Sequence, residues 1–207
     1  MPLSPEQYDT LRRPLNRARI AKRSQGGKQL SYLEAWDVKA HLIRVFGYAN
    51  FDTEMLDYGL VGTREYGTEE KPMVEVIWHA RLRLDVRDPE GNPLCTYTEG
   101  AVGSASGPAS MLGDHHDNAL KTAESDALKR CAINLGTQFG LSLYDDGNTN
   151  DVVKGTLVKP EGWVEPQPVS PEEAQANLAH SLGAQPVVNG TDATMEQGAV
   201  AEGEPTK

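Results

Sequence analysis

The run from Asn118 to Gly140, NALKTAESDALKRCAINLGTQFG, most constrains what this chain can fold into. It is free of proline, and Leu120, Ala123, Ala127, Cys131 and Leu135 recur at the spacing of one helix face. Asp114 stands where an N-cap belongs, and Asp117 falls in the first turn, where a negative charge suits the helix dipole. Lys121, Lys129 and Arg130 occupy the other side. At about 100° per residue, Lys129 lies opposite the Ala127–Cys131 edge and Arg130 on the flank. Such a helix buries one stripe and turns two adjacent cations outward. A plain solvated face accounts for the same pattern, with Asp126 pairing Arg130 at i,i+4 for about 0.3–0.5 kcal/mol.

The chain before this helix divides by period. Ser4-Pro5-Glu6-Gln7 reads as a helix start, with Ser as N-cap, Pro first and Gln third, and the helix stops before Pro14. A basic loop follows, closing on Gly26-Gly27-Lys28, which lacks the spacing of a phosphate-binding P-loop. Ser31-Tyr32-Leu33-Glu34 reads as a second capping box, opening a helix that buries Leu33, Trp36, Ala40 and Ile43 and stops near Gly47. Phe51–Val61, Met73–Val86 and Leu94–Ser104 then alternate like strands of a meander, with turns at Gly67–Pro72 and Asp88–Pro93. Gly100–Pro108 reads as a flexible Gly/Ser/Ala connection into the long helix. The predicted fold is α+β: an antiparallel three-stranded meander packed by a long C-terminal helix, with N-terminal helices before it.

Charge separates the chain into two parts. Residues 1–145 hold 17 Lys and Arg against 20 Asp and Glu, a net of −3, whereas residues 146–207 hold 3 against 10, a net of −7. The predicted domains are therefore residues 1–150, which fold, and residues 151–207, an acidic Pro/Gly/Ala-rich tail. Its stretch Pro160–Lys207 reads as disordered, with a transient helix at Glu172–Leu182 and Trp163 as the residue able to dock back. In the folded part, residues 12–28 carry Arg12, Arg13, Arg17, Arg19, Lys22, Arg23 and Lys28 and no acid, a local excess suited to a polyanion. Cys95 and Cys131 read as buried thiols of a reducing compartment. With no signal pattern at the N-terminus and no apolar run long enough for a membrane span, the expected location is cytoplasmic.

Seven short patterns occur in a fixed order. They are Leu11-x-x-Pro14-Leu15; a basic residue before Gly26-Gly27; Tyr32-Leu33-Glu34; Phe46-Gly47-Tyr48; the meander; Ala123-x-x-Asp126-Ala127-Leu128-Lys129-Arg130; and Leu135-Gly136-x-x-Phe139-Gly140-Leu141. In this order, from Leu11 to Tyr144, the chain resembles the annealing domain of the Rad-fifty-two (Rad-twenty-two) single-strand annealing proteins and their phage relatives. The resemblance implies a recombination and repair protein that binds single-stranded DNA without ATP. It also implies an oligomeric ring of many subunits, no catalysis and no cofactor. A phage-encoded member would work in the cytoplasm of its bacterial host.

Carried over by the resemblance, Lys129 and Arg130 match the helix pair that grips the phosphate backbone with bases turned outward, and Tyr32 matches the motif tyrosine beside it. The upstream groove arginine falls at Lys22 or Arg23. The lysine of a second, outer DNA site matches Arg87, while its companion falls near Ser110, where there is no basic residue. Three further positions depart from the family: Ile133 replaces an arginine one turn beyond Arg130, Ala35 replaces the glycine after the tyrosine motif, and Phe51 replaces a tryptophan.

The implied activity makes physical sense. Annealing needs neutralised backbone charge and free Watson–Crick edges, and a few cations per subunit add through multivalency round a ring. An aromatic content of 6% fits poorly with a groove that stacks every base. Two other readings stand beside it. One is a passive single-strand binder whose acidic tail recruits a recombination or replication partner. The other is a metal-dependent phosphoesterase using Asp114-His115-His116, for which adjacent helical histidines project about 100° apart and no further ligand set is evident.

Overall fold

The computed structural model describes residues 3–166, the side chains of Gln25 and Lys28 aside. The chain divides into two units, Met1–Val164 and Glu165–Lys207, and the described architecture is almost wholly that of the first. It is α+β, with a three-stranded antiparallel sheet on which a long helix packs.

Helix α1 (Pro5–Arg12) starts with a full capping box. The Gln7 backbone N–H donates to Ser4 Oγ at 3.2 Å, and the Ser4 N–H donates to Gln7 Oε1 at 2.9 Å. The segment predicted to be a basic loop is instead a hairpin of β1 (Ile20–Gln25) and β2 (Lys28–Leu33). Gly26 and Gly27 supply φ of 58° and 77°, the left-handed pair that a two-residue turn needs to match strand twist.

This hairpin also displaces the second predicted capping box. Ser31 and Tyr32 belong to β2, and α2 (Ala35–Phe46) begins after Glu34, whose side chain makes no cap bond. The buried side of α2 is Asp37, Val38, His41, Leu42, Val45 and Phe46, and not the predicted face: Trp36 is 69% exposed. Both sides of α2 carry apolar residues, and the one that fills the core is the row of Val38, Leu42, Val45 and Phe46. Gly47, at φ 91°, ends the helix as expected.

The meander consists of β3 (Phe51–Gly67), β4 (Pro72–Arg87) and β5 (Pro93–Pro108), with β4 central. All three outrun their predicted lengths. Gly100–Pro108, expected to be a flexible connection, is the end of β5, and its small residues have a packing reason. A Cβ on Gly103 would lie 2.2 Å from Ala119 O and 2.5 Å from Ala123 N, so glycine lets the helix backbone settle directly on the strand.

That helix, α3 (Leu112–Ala132), lies on β4 and β5 through a row of alanines at 119, 123 and 127 with Cys131, while Leu120 is only half-buried. Its N-cap is Met111, entered from a 3₁₀ turn, which places Asp114 inside the first turn rather than at the cap. The helix also stops short of Gly140. Gly136 and Gly140, at φ 104° and 96°, break the continuation into 3₁₀ turns Ile133–Leu135, Thr137–Phe139 and Leu141–Tyr144.

The main core joins α2, the C-terminal half of α3, Leu33, Phe139 and the near end of the sheet. A smaller cluster of Val74, Val76 and Ala119 continues under the far end. Burial pushes the Cys131 thiol up to about 11, which keeps it unreactive at neutral pH.

Residues 152–164 run back over α1. Tyr8 Oη bonds Thr156 Oγ1 at 2.6 Å. Trp163 docks as predicted: its Nε1–H donates to Asp9 Oδ1 at 2.6 Å and its ring meets Tyr8 edge-on at 5.2 Å. Pro160 is buried here. The rest of the stretch expected to be disordered, including Glu172–Leu182, lies outside the described residues. Among the described residues no helix is long and apolar enough to cross a membrane.

Candidate nucleic-acid interface

Tyr32 stands at the centre of the site. Leu33, the next residue, is buried in the main core, and strand alternation therefore turns Tyr32 to the opposite face of the hairpin. Its ring lies between two cations: the Arg23 guanidinium carbon is 5.4 Å from the ring centroid and Lys129 Nζ is 5.5 Å from it. Each contact is worth roughly 0.5–1 kcal/mol when partly exposed. Together they hold like charges from two distant chain segments on one ring. The Tyr32 hydroxyl donates to Glu34 Oε1 at 2.9 Å, and that bond is the first cause of its raised pKa.

Around this ring opens a cavity of about 400 Å³ lined by Arg23, Tyr32, Asp126, Lys129, Arg130 and Tyr144, with Leu30, Val102 and Ile133 among its apolar surfaces. Lys129 is not simply turned outward. It is largely covered, over Tyr32 and ion-paired with Asp126 at i,i+3. The predicted Asp126–Arg130 pair is absent. Arg130 Nη1 donates to the Gly100 carbonyl of β5 at 2.7 Å, which leaves the exposed guanidinium edge at the cavity.

The structure also separates the two candidates for the upstream cation. Arg23 pairs with Leu30 across the hairpin, on the same face as Ala21 and Tyr32, whereas Lys22 pairs with Ser31 on the other face. Arg23 thus joins the cavity and Lys22 does not. Arg87 is remote from it in topology: it lies on the face of the sheet away from α3 and binds Asp52 at 2.6 Å.

Sequence reasoning missed the buttress under this wall. Arg19, counted among the basic residues of this segment, is largely covered and forks onto the buried Asp37 of α2, with Nη2–Oδ2 at 2.8 Å and Nε contacts of 3.0 and 3.1 Å. Its Nη1 donates to Gln138 Oε1 at 3.1 Å, and Gln138 Nε2 donates to the carbonyls of Arg13 and Pro14. This network fixes the root of the hairpin to α2 and to the turns after α3. The buried acid on α2, four residues before a buried His41, was the available signal, and nothing in the sequence says which arginine it meets.

The histidines of the Asp114–Asp117 tetrad have separate structural partners. His115 is buried, with Nε2 against Pro108 O at 3.1 Å, and His116 Nδ1 accepts from Trp78 Nε1 at 2.9 Å. Among the described residues, no group of three or more His, Cys, Asp or Glu is placed to hold a metal.

The profile of a known family, described as Rad52/22 family double-strand break repair protein, matches residues 6–161, three quarters of the chain. The chain belongs to that family. Membership makes it a DNA-binding protein of repair and recombination, within a family that anneals strands. The Rad52/22 match runs from within α1 to the returning segment, and so includes every residue that lines the cavity. No curated protein matches this chain.

Proposed function

We propose that this protein binds single-stranded DNA along the Arg23–Tyr32–Lys129–Arg130 cavity and promotes annealing of complementary strands without ATP, as a ring of identical subunits and without bond chemistry of its own. One observation carries the reading: cations from the hairpin and from α3, about a hundred residues apart in sequence, converge on a single tyrosine in an open cleft. Folding cations together costs electrostatic repulsion, and a bound polyanion relieves it.

Phosphates on these cations leave the Watson–Crick edges free, which is what pairing with a second strand requires. Two or three contacts per subunit are weak singly and add when the strand spans neighbouring subunits. Binding then falls with salt at a slope of about −0.7 per neutralised phosphate on a single strand. Lys22 is not among the residues lining the cleft and Arg87 lies on the outer sheet face, so this reading assigns the grip to Arg23, Lys129 and Arg130. In the same reading the acidic residues beyond 166 serve a recombination or replication partner.

The test mixes complementary oligonucleotides with the protein in the absence of any nucleotide triphosphate. Pairing faster than the protein-free control supports an annealer. Binding with no acceleration would leave a passive single-strand binder, and no binding would end the proposal.

A further inference from the structure

The cleft has an aromatic part of its lining that none of the cations explains. Tyr144 lines it and is 73% exposed, an aromatic ring open to solvent in the same cavity as Arg130. Its backbone is firmly held. The 3₁₀ turn Leu141–Tyr144 leaves Gly140 in the left-handed region, buries Ser142 completely and packs Leu143 against the main core. Asp145 N–H donates to Ser142 O at 3.0 Å, and Gly147 N–H donates to Leu143 O at 3.0 Å. An anchored turn therefore presents a bare ring to the cleft. Trp36 and Tyr48 are also exposed, but neither lines this cavity.

The charges beside Tyr144 orient what it can meet. Asp145 and Asp146 follow it, both exposed, and would repel phosphate. A strand whose backbone follows Arg23, Lys129 and Arg130 therefore keeps its phosphates near those cations and away from Asp145 and Asp146, which turns a base or sugar toward Tyr144. An aromatic face offered to a base face is sequence-tolerant, because every base has one. Stacking also uses the face of the base and not its edge, so the pairing edge stays available.

Resting on the DNA-binding reading above, we infer that Tyr144 stacks on a nucleobase of the bound strand, making this a two-part site: phosphate on the cationic side, one base per subunit on the aromatic side. The cations supply grip that any polyanion would share. Tyr144 supplies the contact that distinguishes a nucleic acid from a bare phosphate chain.

The experiment measures binding of labelled oligo-dT and of an abasic strand of equal length to the full chain by anisotropy over a salt series. It compares the parent with Tyr144→Ala and Tyr144→Phe, and light scattering checks that the assembly size is unchanged. The parent binds oligo-dT more tightly than the abasic strand. Tyr144→Ala loses roughly five-fold or more on oligo-dT and nothing on the abasic strand, with the salt slope intact, and Tyr144→Phe keeps the parent's affinity. An alanine variant that matches the parent on oligo-dT, or that weakens equally on both strands, overturns the stacking role. A parent that binds neither strand removes the DNA-binding reading itself, a separate outcome.

Discussion

On the outer face of the sheet, Arg64 meets Glu75 at 2.8 Å, Arg83 bridges Glu54 and Asp85, and Arg87 meets Asp52 at 2.6 Å. In the cleft, Arg23, Lys129 and Arg130 share a lining with one carboxylate, Asp126, and lean on a tyrosine ring and a backbone carbonyl instead. The two surfaces hold similar numbers of cations. What differs is how they are satisfied: nearby acids neutralise Arg64, Arg83 and Arg87 in place, whereas in the cleft Lys129 meets an acid, Asp126, and Arg23 and Arg130 are held by a tyrosine ring and a backbone carbonyl. A count of basic residues says little about nucleic-acid binding until their partners are known.

The contrast is deepest under the cleft. Arg19→Ala, or Asp37→Ala, should cost about 3–5 kcal/mol in urea unfolding, because each leaves a buried charge unpaired. Arg83→Ala on the exposed face should cost less than about 1 kcal/mol. Equal losses would mean that the buttress and the surface ladder are not different in kind.

The sheet's two faces differ in the same way for backbone packing. Gly103→Ala pushes a methyl into α3 and should lose about 1–3 kcal/mol, while Gly62→Ala, with nothing within 4 Å, should change stability little. A neutral Gly103→Ala would show that the helix can lift away from β5. Within the cleft, Tyr32→Ala should weaken single-strand binding by roughly two- to five-fold, since it frees both cations from the ring, and Tyr32→Phe should preserve it. If Phe fails as Ala does, the hydroxyl bond to Glu34 matters more than the ring.

A separate effect is a pH slope. Burial, then the neighbouring Arg19 and Arg44, depress His41 to about 4. Above the unfolded value near 6.5 both states are neutral at this residue and stability is complete. As pH falls from about 6.5 to about 4 the unfolded chain takes up a proton that the folded chain refuses, and stability declines. Urea midpoints should fall over that window in the parent and fall less in His41→Gln. Parallel profiles would place the acid sensitivity elsewhere.

Much of the fold is legible in the sequence where one signal dominates. Ser4-Pro5-Glu6-Gln7 has no reading other than a helix start, and the alternation of Val74, Val76, Ala80 and Leu82 fixes a strand. The hairpin is not legible, because Ile20–Leu33 is polar on both faces and offers no period-2 contrast, leaving only Gly26-Gly27 as a clue. The faces of α2 are easily confused because Trp36, Ala40 and Ile43 form a stripe as regular as the one that is buried. Gly100–Pro108 looks flexible for the very feature, small side chains, that lets α3 lie on it. The family resemblance picks out Lys129, Arg130, Tyr32 and either Lys22 or Arg23, but that Arg23 and Lys129 meet on the Tyr32 ring depends on the hairpin's register, which no local pattern states.

The central claim is that the cations gathered at the cleft hold the strand. The most direct test is the salt dependence of oligo-dT binding by Lys129→Ala/Arg130→Ala beside Arg83→Ala/Arg87→Ala, with assembly size checked for both. The cleft variant should keep its size, bind far more weakly, and show a slope shallower by roughly 0.7 for each phosphate it no longer neutralises, while the outer-face variant follows the parent. A cleft variant with the parent's affinity and slope, or an outer-face variant that weakens more, would contradict the account.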